Sequence, residues 1–142
     1  MNTFTTPPPP PPRLSRSELK VLLVDDDLLM LDMISEALRS LGITHVTQAG
    51  SGQQALDILG KKQQVFDLLL LDLHMPSMDG FAFMESIAQG VYSGALIIVS
   101  GQRDVVVQAA SLVARLSQFT LLGALKKPFR KDALAALISK LA

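Results

Sequence analysis

The chain of 142 residues contains no cysteine, no tryptophan, a single tyrosine and no surplus of either charge. Without cysteine there is neither a disulfide framework nor a thiolate metal centre, and a reducing compartment is the natural setting. Thirteen basic and thirteen acidic side chains give a formal net charge of +0. That balance argues against a generic nucleic-acid binder, whose footprint is a basic excess. No apolar run approaches the roughly 20 residues of a membrane span; among the longest are Leu68–Leu71 and Ala95–Val99. The N-terminus lacks the basic flank and apolar segment of a signal peptide. A cytoplasmic domain without membrane association is therefore the expectation. Apolar residues make up 49% of the chain and charged ones 18%, a globular composition whose length suits one domain around one core.

Residues 1–19 read as a proline-rich flexible tail and residues 20–142 as the domain. Pro7–Pro12 is an unbroken run of six prolines, which has no backbone donors and cannot enter a helix interior. Such a run favours polyproline II and spans about 19 Å at roughly 3.1 Å per residue. A ligand for an aromatic-grooved module and a solvated tail both fit it, and the tail is expected because nothing around the prolines specifies a partner.

From Lys20 the pattern alternates. Val21–Val24, Phe66–Leu71 and Ala95–Val99 are short, nearly continuous apolar runs, the signature of strands buried on both faces. Thr44–Ala49 and Thr120–Leu125 are weaker strand candidates. Between them lie helical spacings. Leu31, Ile34, Leu38 and Leu41 form one apolar stripe, with Asp32, Ser35, Glu36 and Arg39 opposite, and Leu134, Leu137, Ile138 and Leu141 form another. Gly42 stands where a helix should stop. The fourth helix is the weakest expectation, because Val105–Val107 is a β-branched run. Five strands alternating with five helices predict a parallel sheet covered on both faces and joined by right-handed crossovers. Phe81 and Phe83 are expected to pack rather than bind.

In a doubly wound sheet the functional crevice lies at the carboxyl ends of the strands, so the residues after each strand matter most. The first strand ends in Asp25-Asp26-Asp27, the third in Asp72, the fourth in Ser100-Gly101 and the fifth in Lys126-Lys127-Pro128. If the first and third strands are neighbours, Asp25, Asp26 and Asp72 converge. Their repulsion must either raise a pKa or call for a cation. All-oxygen donors point to Mg²⁺, with Mn²⁺ as a substitute. Asp27 reads as a helix cap, but one helix start needs only one capping side chain. Carboxylate-held Mg²⁺ commonly partners a phosphoryl group. Lys127 offers a cation for phosphate oxygens, Ser100 a hydroxyl donor, and Asp72 a carboxylate nucleophile that would form an acyl phosphate.

Residues 20–142 resemble the receiver domain of two-component response regulators. The motifs that carry the resemblance are Val21-Leu-Leu-Val-Asp-Asp-Asp27, Gly50-Ser-Gly-Gln-Gln-Ala-Leu56, Leu71-Asp-Leu-His-Met-Pro76, Met78-Asp-Gly80, Val99-Ser-Gly101 and Lys127-Pro-Phe129. The resemblance implies a flavodoxin-like sheet of order 2-1-3-4-5 in a three-layer α/β/α arrangement. It implies that Asp72 takes a phosphoryl group from a histidine kinase or a phosphotransfer protein. Asp26, Asp72 and the backbone carbonyl of His74 would hold Mg²⁺, with Asp25 assisting through water. Lys127 would pair with the phosphoryl oxygens and with the resting carboxylate, Ser100 would rotate toward the acyl phosphate, and the Lys127–Pro128 bond would be cis. Such a domain catalyses its own phosphorylation and dephosphorylation rather than turning over a separate substrate. The surface of the fourth helix, fifth strand and fifth helix would control an output domain or partner, and its apolar residues would allow a homodimer.

Two departures from the family stand out. The aromatic residue usual three positions before the final lysine is Ala124 here, which cannot perform the inward swing that usually reads out phosphorylation. The stretch from Ser100 to Lys127 is also longer than in chemotaxis-type receivers. With Leu121–Pro128 it resembles receivers fused to EAL cyclic-di-GMP phosphodiesterase domains, so the chain is expected to be a stand-alone relative or part of a longer protein. An unphosphorylated interaction module is the main alternative. A haloacid-dehalogenase-like phosphatase would use the D-x-D of Asp25–Asp27. That enzyme needs further acidic ligands after its lysine, and only Asp132 follows Lys127.

Overall fold

The computed structural model describes residues 14–61, 65–75, 80–88, 91–92, 94–101 and 104–142. The proline run Pro7–Pro12 and the Pro76, Met78 and Asp79 positions of the motifs lie outside the described residues. The elements alternate strictly: β1 (Lys20–Val24), α1 (Leu28–Ser40), β2 (His45–Ala49), α2 (Gly52–Leu59), β3 (Leu68–Asp72), α3 (Gly80–Ile87), β4 (Ala95–Ser100), α4 (Asp104–Leu116), β5 (Thr120–Lys126) and α5 (Lys131–Ile138). The five strands are parallel in the order β2-β1-β3-β4-β5, the expected flavodoxin-like fold.

Strand position explains the unequal strand signals. β3 and β4 are buried at every residue and β1 at all but its first, because helices cover both faces of the sheet centre. β2 and β5 are the edges and keep exposed and half-buried positions among the buried ones, so their sequences read more weakly. The pleat sends successive side chains into two separate cores. Leu22, Val24, Leu69, Leu71, Leu96 and Ile98 pack with Ala55, Phe83, Met84, Ile87, Ala110 and Ala114, under α2, α3 and α4. Val21, Leu23, Leu68, Leu70, Ile97 and Val99 pack with Leu31, Ile34, Leu38, Leu134 and Ile138, under α1 and α5. Phe83 is fully buried and Phe81 packs beside it, as expected of core residues.

Local chemistry sets the boundaries. Asp27 caps α1 through its side chain, accepting from the Leu29 and Met30 amides, and Gly42 takes a positive φ of 90° just past the helix. The third strand begins two residues later than the apolar run does. Asp67 closes against Lys20 instead, its amide donating to the Lys20 carbonyl and its carboxylate accepting from the Lys20 amide. The β-branched start of α4 is overridden by tertiary packing, with Ala110 and Ala114 fully buried and Val106, Val107 and Val113 half-buried against the same core. Ahead of β1, Leu19 is fully buried and the Arg16 guanidinium donates to the Leu41 carbonyl at 3.2 Å.

β5 carries an irregularity that periodicity does not reveal. Leu121 pairs with Leu96, but Ile97 pairs with Gly123, so Leu122 is an extra residue in the strand. Gly123 has φ 157°, and a Cβ there would sit 2.6 Å from Leu137 Cδ2 of α5. Gly123→Ala is expected to cost about 2 kcal/mol through backbone strain and the clash with Leu137. A lower urea midpoint at unchanged m-value checks this.

Candidate functional site

β1 and β3 are hydrogen-bonded neighbours, with Val24 opposite Leu71. The first residues beyond the β1 register and the last of β3 therefore meet at one end of the sheet. Carboxylate oxygens of Asp25, Asp26 and Asp72 all lie within 4.8 Å of one another. Asp25 and Asp72 are buried and Asp26 is exposed. With Asp27, His74, Gly101 and Lys127 they line a cleft of ≈ 420 Å³. More enclosed hollows exist elsewhere, but none of those described gathers this density of charge.

Backbone amides hold the two buried carboxylates in place. The Asp27 amide donates to Asp25 Oδ1 at 2.9 Å and the His74 amide to Asp72 Oδ1 at 3.3 Å. Both are contacts from residue i+2 to an aspartate at a strand end, the Asx-turn geometry that short carboxylates favour where a ladder stops. Sequence reasoning passed over these amides, although an aspartate closing a buried strand is the signal for them.

Lys127 closes the site from β5. Its Nζ lies 3.0 Å from Asp25 Oδ2 and 3.4 Å from Asp72 Oδ1. The Lys127 amide donates to the Ser100 carbonyl at 2.9 Å, and the Lys127–Pro128 bond is cis, the isomer the resemblance implies. Ser100 is 1% exposed and is not among the residues lining the cleft. The strand register thus brings it to the site while its side chain stays buried. The His74 side chain is exposed. Ala124 sits opposite Ile98 in β5 and is exposed.

The electrostatics follow from burial. Desolvation, reinforced by the Asp25 charge, pushes the Asp72 carboxyl up to about 6, against the opposing pull of Lys127. Desolvation also works against the Lys127 ammonium. Its hydrogen bond to Asp25 and the charges of Asp72 and Asp25 outweigh that effect and hold its pKa above the usual value. One lysine thus offsets only part of three gathered carboxylates. An excess of negative charge on hard oxygen donors, with no sulfur or imidazole among them, fits a magnesium-type ion. Asp25, Asp26 and Asp72 would hold it, and it would supply the positive charge that the cluster lacks.

Because folding raises the Asp72 pKa, the fold favours the neutral carboxyl. That contribution to stability is fully present below the ordinary value of 3.8 and is lost as pH rises through about 6. Asp72→Asn is therefore expected to stabilise the metal-free protein at pH 7.5 by about 1–3 kcal/mol. The gain should vanish near pH 4, as thermal melts of both proteins in chelator across that range would show.

Comparisons with known proteins place the chain in a family. Residues 21–139 match the family profile described as the response regulator receiver domain. The chain is 33% identical over 123 residues to a probable chemotaxis protein CheY of Rhizobium etli, an alignment covering 85% of this chain and 90% of that protein. It is 42% identical over 69 residues to the two-component response regulator ORR26 of Oryza sativa, covering 49% of this chain but only 12% of that much longer protein. Among solved structures, Vibrio cholerae chemotaxis protein CheY4 superposes with a TM-score of 0.72 at 26% identity, covering 87% of this chain and 98% of that one. A receiver domain protein from Clostridium thermocellum superposes at 0.73 and 25% identity, covering 87% and 93%. The finer likeness to EAL-fused receivers finds no support in these relatives. A profile match over residues 21–139, a relative 33% identical across nearly its whole length and a shared 2-1-3-4-5 sheet make the chain a member of the CheY-like response regulator receiver family of two-component signalling.

Proposed function

We propose that Asp72 is the phosphoacceptor of this receiver. An oxygen of its carboxylate attacks the phosphorus of a phosphohistidine, presented by a histidine kinase or phosphotransfer protein. The P–N bond breaks, the imidazole departs and an aspartyl phosphate remains. The observation that carries this reading is the placement of Lys127 Nζ, 3.0 Å from Asp25 and 3.4 Å from Asp72, where a single cation faces both the nucleophile and the charge that opposes its modification. Asp26 and the His74 backbone carbonyl, with Asp25 and Asp72, supply oxygen donors for Mg²⁺ or, in its place, Mn²⁺.

The residues of the chain divide the work. Burial keeps water away from Asp72, and the His74 amide fixes one of its oxygens. Lys127 is already charged and already in the cleft, so it meets the new phosphoryl oxygens with little reorganisation. Ser100 donates its hydroxyl to the same oxygens from the end of β4. The amide-to-carbonyl bond from Lys127 to Ser100 makes the ends of β4 and β5 move together. The domain is a switch, and its output is a domain or partner that reads the α4–β5–α5 surface, where Leu112 and Leu116 are exposed.

Incubation with Mg²⁺ and acetyl phosphate or phosphoramidate is expected to add one phosphoryl group by intact mass. Asp72→Asn should abolish it, and an unchanged adduct in that variant would overturn the assignment. Sustained phosphate release from diverse monoesters would instead favour a phosphatase. Mg²⁺ at about 100 times its Kd should stabilise the fold by about 2.7 kcal/mol by mass action, and Asp26→Asn should remove most of that gain in a thermal melt.

A further inference from the structure

The far end of β5 holds a tie that the proposed chemistry does not use. Leu122, the extra residue of the bulge, has its carbonyl accepting from Lys140 Nζ at 2.7 Å. Lys140 lies in the turn after α5, where the Lys140 amide donates to Leu137, and the Leu141 and Ala142 amides donate to Ile138. Beside it, Leu137 packs onto the bare Cα side of Gly123. The bulge thus divides β5 in two. Residues 120–121 stay in register with the start of β4, while residues 123–126 pair with its end, from Ile97 to Ser100, and run directly into Lys127.

We propose that the Lys140–Leu122 bond is a clamp that phosphorylation releases, so that β5 itself carries the signal to the C-terminal turn of α5. This rests on the proposed role of Asp72. New phosphoryl oxygens attract Ser100, which ends the β4 stretch paired beyond the bulge, and Lys127, which directly follows the β5 stretch and donates its amide to the Ser100 carbonyl. A paired strand segment moves as a unit. The displacement is therefore absorbed where the ladder is already broken and a glycine tolerates a change of backbone angle. That place is Leu122–Gly123. Turning the Leu122 carbonyl there breaks its bond to Lys140 and frees the turn at 139–142. The route also explains how the domain works with Ala124, which has no ring to swing. The two states are clamp engaged and clamp released. By linkage, whatever releases the clamp must favour the phosphorylated protein to the same degree.

The test uses the full chain, with hydrogen exchange followed by mass spectrometry before and after treatment with Mg²⁺ and acetyl phosphate. In the native protein, full phosphorylation should speed exchange of the Lys140, Leu141 and Ala142 amides by roughly threefold or more. Lys140→Met should exchange rapidly there without phosphate and show no further change with it. Its steady-state phosphorylation should rise by roughly twofold or more, a change in chemistry at a remote site that a purely structural loss would not produce. Lys140→Arg keeps a donor and should restore native behaviour. Unchanged exchange at 140–142 in fully phosphorylated protein would overturn the clamp and leave the phosphoacceptor reading intact, as would equal responses in native protein and Lys140→Met. Failure of the native protein to gain a phosphoryl group would overturn both.

Discussion

Lys127 holds together charges that the fold would otherwise push apart. Asp25 and Asp72 are both buried at the end of neighbouring strands, and like charges at such range in a poorly solvated place repel strongly. The ammonium between them, reaching in from β5, makes that arrangement tolerable. It also leaves the arrangement incomplete, since Asp26 adds a third carboxylate within 4.8 Å. A site short of positive charge is a site poised to take a cation. In the proposed function that cation lets the site take on the further negative charge of a phosphoryl group. The raised Asp72 pKa reflects burial first and the Asp25 charge second.

That constraint explains why the sheet is built as it is. Parallel strands put all their carboxyl ends on one side, so the ends of four strands deliver residues to a single crevice. The order β2-β1-β3-β4-β5 sets Asp25 and Asp72 on adjacent strands and leaves Ser100 and Lys127 on the next two. The two cores beneath hold the strands rigid, and the site needs that rigidity, because a displacement of one ångström would separate Lys127 from one of its partners. The irregularity lies instead on the edge strand, where the bulge at Leu122 interrupts the ladder and α5 leans on a glycine.

Most of the fold was legible from the apolar pattern. The three continuous runs became the central strands and the two weak ones became edges, because burial on one or two faces is what hydrophobic spacing records. The stripes of Leu31, Ile34 and Leu38 and of Leu134 and Ile138 face one core as expected. Leu141, the last of its stripe, lies past the end of α5. The turn tightens there, with bonds to the third residue back, and Lys140 reaches across to Leu122. The valine-rich start of the fourth helix weakened an expectation that the structure bears out. Propensity is local, and the small faces of Ala110 and Ala114 pack in a way no local preference records.

The sequence by itself determined which side chains stand at the strand ends, because burial dictates the strands and polar residues mark where they stop. It determined the family too, since the motifs fall in an order that a chance arrangement would not keep. Only the tertiary structure decided how those charges balance. That Lys127 pairs with Asp25 as well as Asp72, that amides at 27 and 74 grip the carboxylates, and that Ser100 stays buried all depend on distances between strands far apart in the chain. The bulge and its tie to Lys140 belong to the same class. Register and pairing energies arise between segments, and no single segment contains the information that sets them.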